Sequence, residues 1–283
     1  MDCMILDGYN LLHRARFGFR RGEYFVIFNF IRGIRSIIEK FNPKKVYFVL
    51  EGKPRHREQI ASNYKANRKI EESDPKFQEM KEFHRQKNLA INLMKEFPIT
   101  IIRHPGYECD DTIANLVERH KEEESLIVSS DSDFNQLLNT YTSLNIYNPV
   151  KKSFVEKTDY CYLTWKSLRG DKTDNIEGIK GCGDKTALRL VEDPTLLESW
   201  LSKDETRREI MNRNLSLIRL KIFSDREWEE IEEETFSLNE CLIKEAVETF
   251  KFTSMLKEKT WKNFIKTFKN LEEKREIYER NTA

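Results

Sequence analysis

The chain has 283 residues, 39% of them hydrophobic and 34% charged, which is enough apolar material for a core under a charged surface and excludes dominant disorder. No apolar run approaches the ~18–20 residues of a membrane span, and Met1-Asp2-Cys3-Met4-Ile5-Leu6 opens without a targeting segment, so a soluble cytoplasmic protein is expected (host cytoplasm if viral). The formal net charge of +1 hides segregation: Lys53, Arg55, Arg57, Lys65, Arg68 and Lys69 meet only Glu58 in residues 52–69, whereas seven acids meet only Arg226 in residues 225–234.

Short β-rich runs alternate with longer segments of helical period, the pattern of a parallel sheet covered by helices. Residues 4–6 read as the first strand. Residues 24–41 follow as a helix with Phe25, Phe28, Ile31, Ile34 and Ile38 on one stripe, and residues 46–50 as the second strand. Residues 67–87 are charge-rich with few apolar positions and are expected to project from the body; the long polar helix 76–97 belongs to this arch or bridge region, about 52–97. Strand 99–102, a Pro105-Gly106 turn, helix 109–124 and strands 126–129 and 144–147 complete the first half. After about Val150 the strand signal fades. Gly170, Gly178, Gly181 and Gly183 precede a helix at 184–191, Pro194 breaks it, and helical stretches follow at 207–223, 238–250 and 257–268, with a frayed end after about Glu272. The expected fold is therefore α/β: a mostly parallel twisted sheet with flanking helices over 1–155, and a smaller helical lobe over 156–283. Five cysteines without a C-x-x-C pair read as reduced thiols.

Acids stand directly after three of these strands: Asp7, Glu51, and Asp131 with Asp133. In an open parallel sheet the carboxyl ends of the strands face one crevice, so these residues can converge although they are distant in sequence. Glu108, Asp110 and Asp111 open the helix after Gly106, and Asp171 and Asp174 repeat the i, i+3 spacing of Glu108 and Asp111. Any one of them could simply cap a helix or end a turn. That explanation does not cover the set. Clustered like charges need cations, and oxygen-only donors select hard divalent ions such as Mg²⁺ or Mn²⁺. No H-E-x-x-H, G-x-S-x-G or phosphate-loop motif offers a competing chemistry.

Five stretches, in order, resemble the 5′ nuclease family that includes flap endonucleases, most closely its stand-alone bacteriophage members of ribonuclease H (primer-removing) type. They are Leu6-Asp7-Gly8-Tyr9-Asn10; Tyr64-Lys65-Ala66-Asn67-Arg68; His104-Pro105-Gly106-Tyr107-Glu108-Cys109-Asp110-Asp111; Ser129-Ser130-Asp131-Ser132-Asp133-Phe134; and Asp171-Lys172-Thr173-Asp174-Asn175, continuing through Gly178-Ile179-Lys180-Gly181-Cys182-Gly183-Asp184-Lys185. One departure is Glu51, where the family usually has Asp; after about residue 222 the likeness is poor.

The resemblance implies a PIN-like core, a helix–three-turn–helix element at about 165–200, and a two-metal site. Asp7, Glu51, Glu108, Asp110, Asp131 and Asp133 would form its inner cluster, while Asp111, Asp171 and Asp174 would hold metal-bound water or a second ion. Lys65 and Arg68, sharing a helix face, would clamp the scissile phosphate. Tyr64 would either stack on a base or pack internally. Gly178, Lys180, Gly181, Gly183 and Lys185 would form a hairpin that grips duplex DNA and holds K⁺, with positive φ at glycines and the helix 184–191 presenting its N-terminus. The implied activity is metal-dependent 5′-3′ exonuclease or flap endonuclease hydrolysis of branched or 5′-ended DNA and RNA–DNA hybrids in phage replication. The enzyme would act as a monomer, with a single-strand-binding protein or clamp as replication partner. The alternatives are an inactive branched-DNA-binding protein with the same fold and a small PIN-type ribonuclease, which this chain exceeds in length.

Overall fold

The computed structural model describes residues 1–68 and 70–282; Lys69, counted above in the basic stretch, lies outside the described residues. Five parallel strands, β1 (Cys3–Asp7), β2 (Lys45–Val49), β3 (Thr100–Arg103), β4 (Ser125–Val128) and β5 (Leu144–Asn148), fall where the apolar runs put them. Two antiparallel strands border them: β6 (Ser153–Phe154) beside β5 and, late in the chain, β9 (Glu232–Thr235) beside β3. The order is β6-β5-β4-β1-β2-β3-β9; β7 (Gly170–Asp171) and β8 (Ile176–Glu177) form a separate hairpin. The central strands are near-continuous apolar runs because helices cover both faces.

On one face lie α1 (Gly8–Ala15) and α2 (Phe25–Phe41). The buried side of α2 comprises Val26, Ile27, Phe30, Ile31, Ile34, Ile37 and Ile38, broader than the expected stripe, which had included the only partly buried Phe25 and Phe28. Short α3 (Arg55–Ile60) leads toward α4 (Phe77–Met94). The expectation that residues 67–87 project is corrected from Phe83 onward: Phe83 is buried, and with Ala90, Leu93 and Met94 farther along α4 it forms a face that packs into the main core. Gln86 accepts the Val26 N–H at 3.1 Å and donates to the Glu23 carbonyl at 2.8 Å, so this polar helix is docked through a buried amide. A few apolar residues at helical spacing suffice to dock it.

The other face carries α5 (Cys109–Arg119) and α6 (Asn135–Leu138). The lobe then forms from α7 (Tyr162–Arg169), α8 (Asp184–Glu192), α9 (Pro194–Leu201) and α10 (Glu205–Ile218), around Leu168, Ile179, Ala187, Leu190, Leu201 and Met211. Pro194 both breaks and starts a helix: it is the first residue of α9, capped by Asp193 accepting from Thr195 and Leu196 at 3.0 Å.

The expected all-helical division at 155 is corrected at the C-terminal end. After α11 (Asp225–Glu229), the acidic run becomes edge strand β9, whose outward acids blunt the sheet edge. Helices α12 (Glu240–Thr249) and α13 (Glu258–Thr282) return to the first core, where Ile243, Val247, Phe264, Phe268 and Leu271 join Met4 and Phe48. Within the described residues the stretch 273–282 continues α13 instead of fraying, and buried Arg275 donates to the Phe236 carbonyl at 2.5 Å. All five cysteines are free thiols. Among the described residues no helix is long and apolar enough to cross a membrane.

Candidate active site

From β1 the chain passes outward to β2 and β3 on one side, then returns to β4 and β5 on the other. The carboxyl ends of β1 and β4 therefore border the reversal point at which such sheets open a crevice. Asp7 ends β1 and caps α1, accepting from Asn10 N at 3.1 Å and from Ser129 Oγ at 2.6 Å. Asn10 in turn accepts from Ser130 N and Oγ at 3.1 and 3.0 Å, Asp131 N donates to Ser129 Oγ at 3.0 Å, and Asp133 N donates to Asp131 Oδ1 at 2.8 Å. The loop after β4 is thus stitched to the β1–α1 junction. Ser129, Ser130 and Asn10 are its stitches, a role not read from the sequence.

The electrostatics show which acids face one another. Burial and Asp131 push the Asp7 carboxyl up to about 6, against its hydrogen bonds. Glu51 sits at the open mouth, yet desolvation by the crevice walls and repulsion from Glu108 and Asp7 raise it to about 7. Asp110 is raised by burial and then by Asp131, Asp7 and Glu51. Asp133 rises to about 6 through burial and Asp131, although Lys166 opposes the shift.

The remaining expected acids hold cations of the chain itself. Arg57, 3% exposed, donates to Asp111 at 2.5 and 2.8 Å, to Glu108 at 2.6 Å, and to the carbonyls of Leu217 and Arg219 at 2.7 and 3.2 Å. Asp111, fully buried, also accepts from Lys221 N at 2.8 Å. Its expected place among metal-bound waters is corrected: it anchors the α10 exit to α5. Lys65 pairs with Glu108 and lies 3.6 Å from Asp174, which Arg68 also contacts; Asp171 faces Lys166 at 2.7 Å. Lys65 and Arg68 do not share an α-helical face. Lys65 has φ +54° in a turn and Arg68 ends a 3-10 turn, and they converge because both reach Asp174. Tyr64, 8% exposed, cannot offer its face to a base; it packs with Ile176, Leu217 and Ile218 and donates to Glu108 and Asp174 at 3.0 and 3.2 Å.

In the hairpin, Lys180, Gly181, Gly183 and Lys185 are exposed. Gly181 has φ +80°, which favours glycine, but Gly183 is extended at φ −82°, so its expected positive φ is corrected. Gly178 serves close approach instead: a Cβ there would lie 2.0 Å from the Arg169 carbonyl oxygen. The buried cations Arg57 and Lys166 were missed as site residues. In the sequence Arg57 counts only toward the basic stretch 52–69, and no motif marks Lys166.

The donor set of the crevice is all oxygen and mutually repelling, which fits a hard divalent cation. Among the described residues no three His, Cys, Asp or Glu side chains enclose one point closely enough to hold an ion. The acids stand apart, several of them against Lys or Arg. Asp7, Asp110, Asp131 and Asp133, with Glu51 at the mouth, are the residues that would hold such ions.

Fold and crevice together define an open α/β protein with an acidic centre at the sheet's reversal point and an attached helical lobe. Residues 2–162 match the family model described as 5′-3′ exonuclease, N-terminal resolvase-like domain, and the chain belongs to that family. It is 29% identical over 221 residues to a 5′-3′ exonuclease of Bacillus subtilis, covering 70% of this chain and 72% of that protein. With a 5′-3′ exonuclease of Aquifex aeolicus it shares 28% over 288 residues, 90% of this chain and 93% of the other. A thermostable DNA polymerase I of Thermus caldophilus is 28% identical over 240 residues; the match takes 77% of this chain but spans only 28% of the polymerase. Among solved structures, the T5 D15 protein co-crystallised with metal ions has a TM-score of 0.65 at 20% identity, covering 78% of this chain and 90% of that one. The Rad2 catalytic core in complex with DNA substrate gives 0.58 at 15%, over 94% and 91%. At these identities the two structures show a shared fold.

Proposed function

We propose that this protein is a divalent-metal-dependent 5′ nuclease that hydrolyses phosphodiesters of branched or 5′-ended DNA and RNA–DNA hybrids, removing primers or flaps in phage DNA replication. The observation that carries this reading is the mutual repulsion of Asp7, Asp131 and Glu51 at or beyond the strand ends and Asp110 at the start of α5, facing a wall that bears Lys65 and Arg68. Family membership supports it, as do the neighbours described as the T5 D15 flap endonuclease with DNA and metal ions and the Rad2 core with DNA substrate.

Asp7, Asp110, Asp131, Asp133 and Glu51 would bind the cations, Mg²⁺ or Mn²⁺. Divalent ions held there supply an acidified water for attack and positive charge for the leaving oxygen. Lys65 and Arg68 exchange Glu108 and Asp174 for oxygens of the scissile phosphate, a like-for-like replacement of one anion by another. Tyr64 and Arg57 keep Glu108 and Asp174 in place while that exchange occurs. The exposed turn 180–185 contacts duplex phosphates away from the chemistry, with the left-handed Gly181 allowing close backbone approach and K⁺ as its bound ion.

End-labelled flap DNA incubated with enzyme, with Mg²⁺ or with EDTA, tests the reading. Cleavage only with Mg²⁺, releasing the 5′ strand, is expected. Tight binding without cleavage in either condition would favour an inactive branched-DNA-binding protein.

A further inference from the structure

Lys166 lies on α7 of the lobe, yet its ammonium is buried against the Asp133 carboxylate of the core and lies 2.7 Å from Asp171. The residue is 5% exposed. One turn earlier on the same helix, Tyr162 donates to Ser132 Oγ at 2.9 Å, so two side chains seat α7 on the loop 131–133. A buried cation is tolerated only where carboxylates surround it. Here the two that do so come from different parts of the molecule, the core loop after β4 and the lobe strand β7. Beside them is a cavity of about 10 Å³, lined in part by Glu108, Asp110, Asp133, Asp171 and Asp174, with room for about one water. Lys166 is therefore the cation that neutralises Asp133 and Asp171, while Arg57, Lys65 and Arg68 serve Glu108 and Asp174.

We propose that Lys166 is a positioning residue that acts as resident counter-ion: it clamps the lobe to the core through Asp133 and Asp171, and it gives up these carboxylates when a divalent cation enters. The inference rests on the reading of the crevice as a metal centre. Its consequence is competition. A fixed positive charge touching the donor Asp133 and the adjacent Asp171 opposes an incoming cation, so removing it should strengthen cation binding, whereas loss of a merely structural residue would weaken it.

The test uses the full chain without DNA. Mn²⁺ binding is titrated by electron paramagnetic resonance for the wild type, Lys166→Met and Lys166→Arg, each checked for folding by circular dichroism. Lys166→Met should bind Mn²⁺ more tightly at one site, on the order of tenfold, with Lys166→Arg close to wild type. Unchanged or weaker binding by folded Lys166→Met, in a wild type that does bind Mn²⁺, overturns the inference and leaves the metal centre standing. A wild type that binds no Mn²⁺ overturns the metal centre and the inference with it. A second measurement needs no variant: amine acetylation followed by mass spectrometry. Mg²⁺ should raise labelling of Lys166 several-fold relative to the other lysines, and unchanged or reduced labelling counts against displacement.

Discussion

The crevice and the hairpin of the lobe both carry charge toward the expected substrate, but they are built oppositely. In the crevice, Arg57, Lys65 and Lys166 are buried or half-buried, and each holds two carboxylates, which for Lys65 and Lys166 come from separate elements. In the turn after β8, Lys180 and Lys185 are exposed, and Asp184 pairs outward with Arg169 at 2.8 Å. Buried charges in low dielectric are coupled, so removing one changes the others; solvated charges act nearly independently. The contrast separates chemistry, which needs fixed and interdependent groups, from grip, which needs only a sum of weak contacts.

The largest effect should come from the crevice's own acids. Asp131→Asn is expected to reduce the single-turnover cleavage rate by roughly 10²–10⁴-fold while leaving flap-DNA affinity within a few-fold of wild type. Near-normal cleavage in saturating Mg²⁺ would remove Asp131 from the chemistry and erase the division between the two regions.

Coupling is tested next at Arg57. Its replacement by Ala strands fully buried Asp111 and should cost about 3–5 kcal/mol in urea unfolding. In an Asp111→Asn background the same change should cost much less. Additive losses in this double-mutant cycle would show that the buried charges are not interdependent.

The hairpin should behave in the opposite way. Lys180→Ala and Lys185→Ala should each weaken flap-DNA binding a few-fold, add in the double variant, and each lower the slope of log K against log salt by about one. An unchanged salt slope would take DNA contact away from this turn.

The smallest effect concerns Glu227, which lies in neither region. It completes a capping box with Ser224 and accepts from Tyr107. Despite partial desolvation, the Ser224 backbone and Tyr107 hold its carboxyl down from an ordinary 4.5 to about 2. A depressed folded-state value stabilises the protein above pH 4.5 and is lost as pH falls toward 2. The stability gap between wild type and Glu227→Gln, followed by thermal melts, should therefore close over that window. A gap independent of pH would mean that the carboxylate charge is irrelevant there.

Strand positions were readable from residue order because a strand buried on both faces must be an apolar run, and an acid directly after it must lie at the carboxyl end of the sheet. Asp7, Asp131 and the α/β class followed from those local facts. Sequence order could not tell which acids would face each other and which would hold a lysine or arginine. Asp111 and Asp133 look alike as helix-start and turn acids, yet Arg57 closes over one, while the other faces the crevice with Lys166 beside it. Likewise Tyr64 reads equally as a stacking platform or a packed side chain until Ile176 and Leu217 close over it. The return of α13 to the first core was hidden because its apolar residues are sparse and a helix's partner is a long-range property. Local pattern fixes elements and the ends they present; burial, and with it the pairing and ionisation of each charge, is decided by segments more than a hundred residues apart, as Arg57 and Leu217 are.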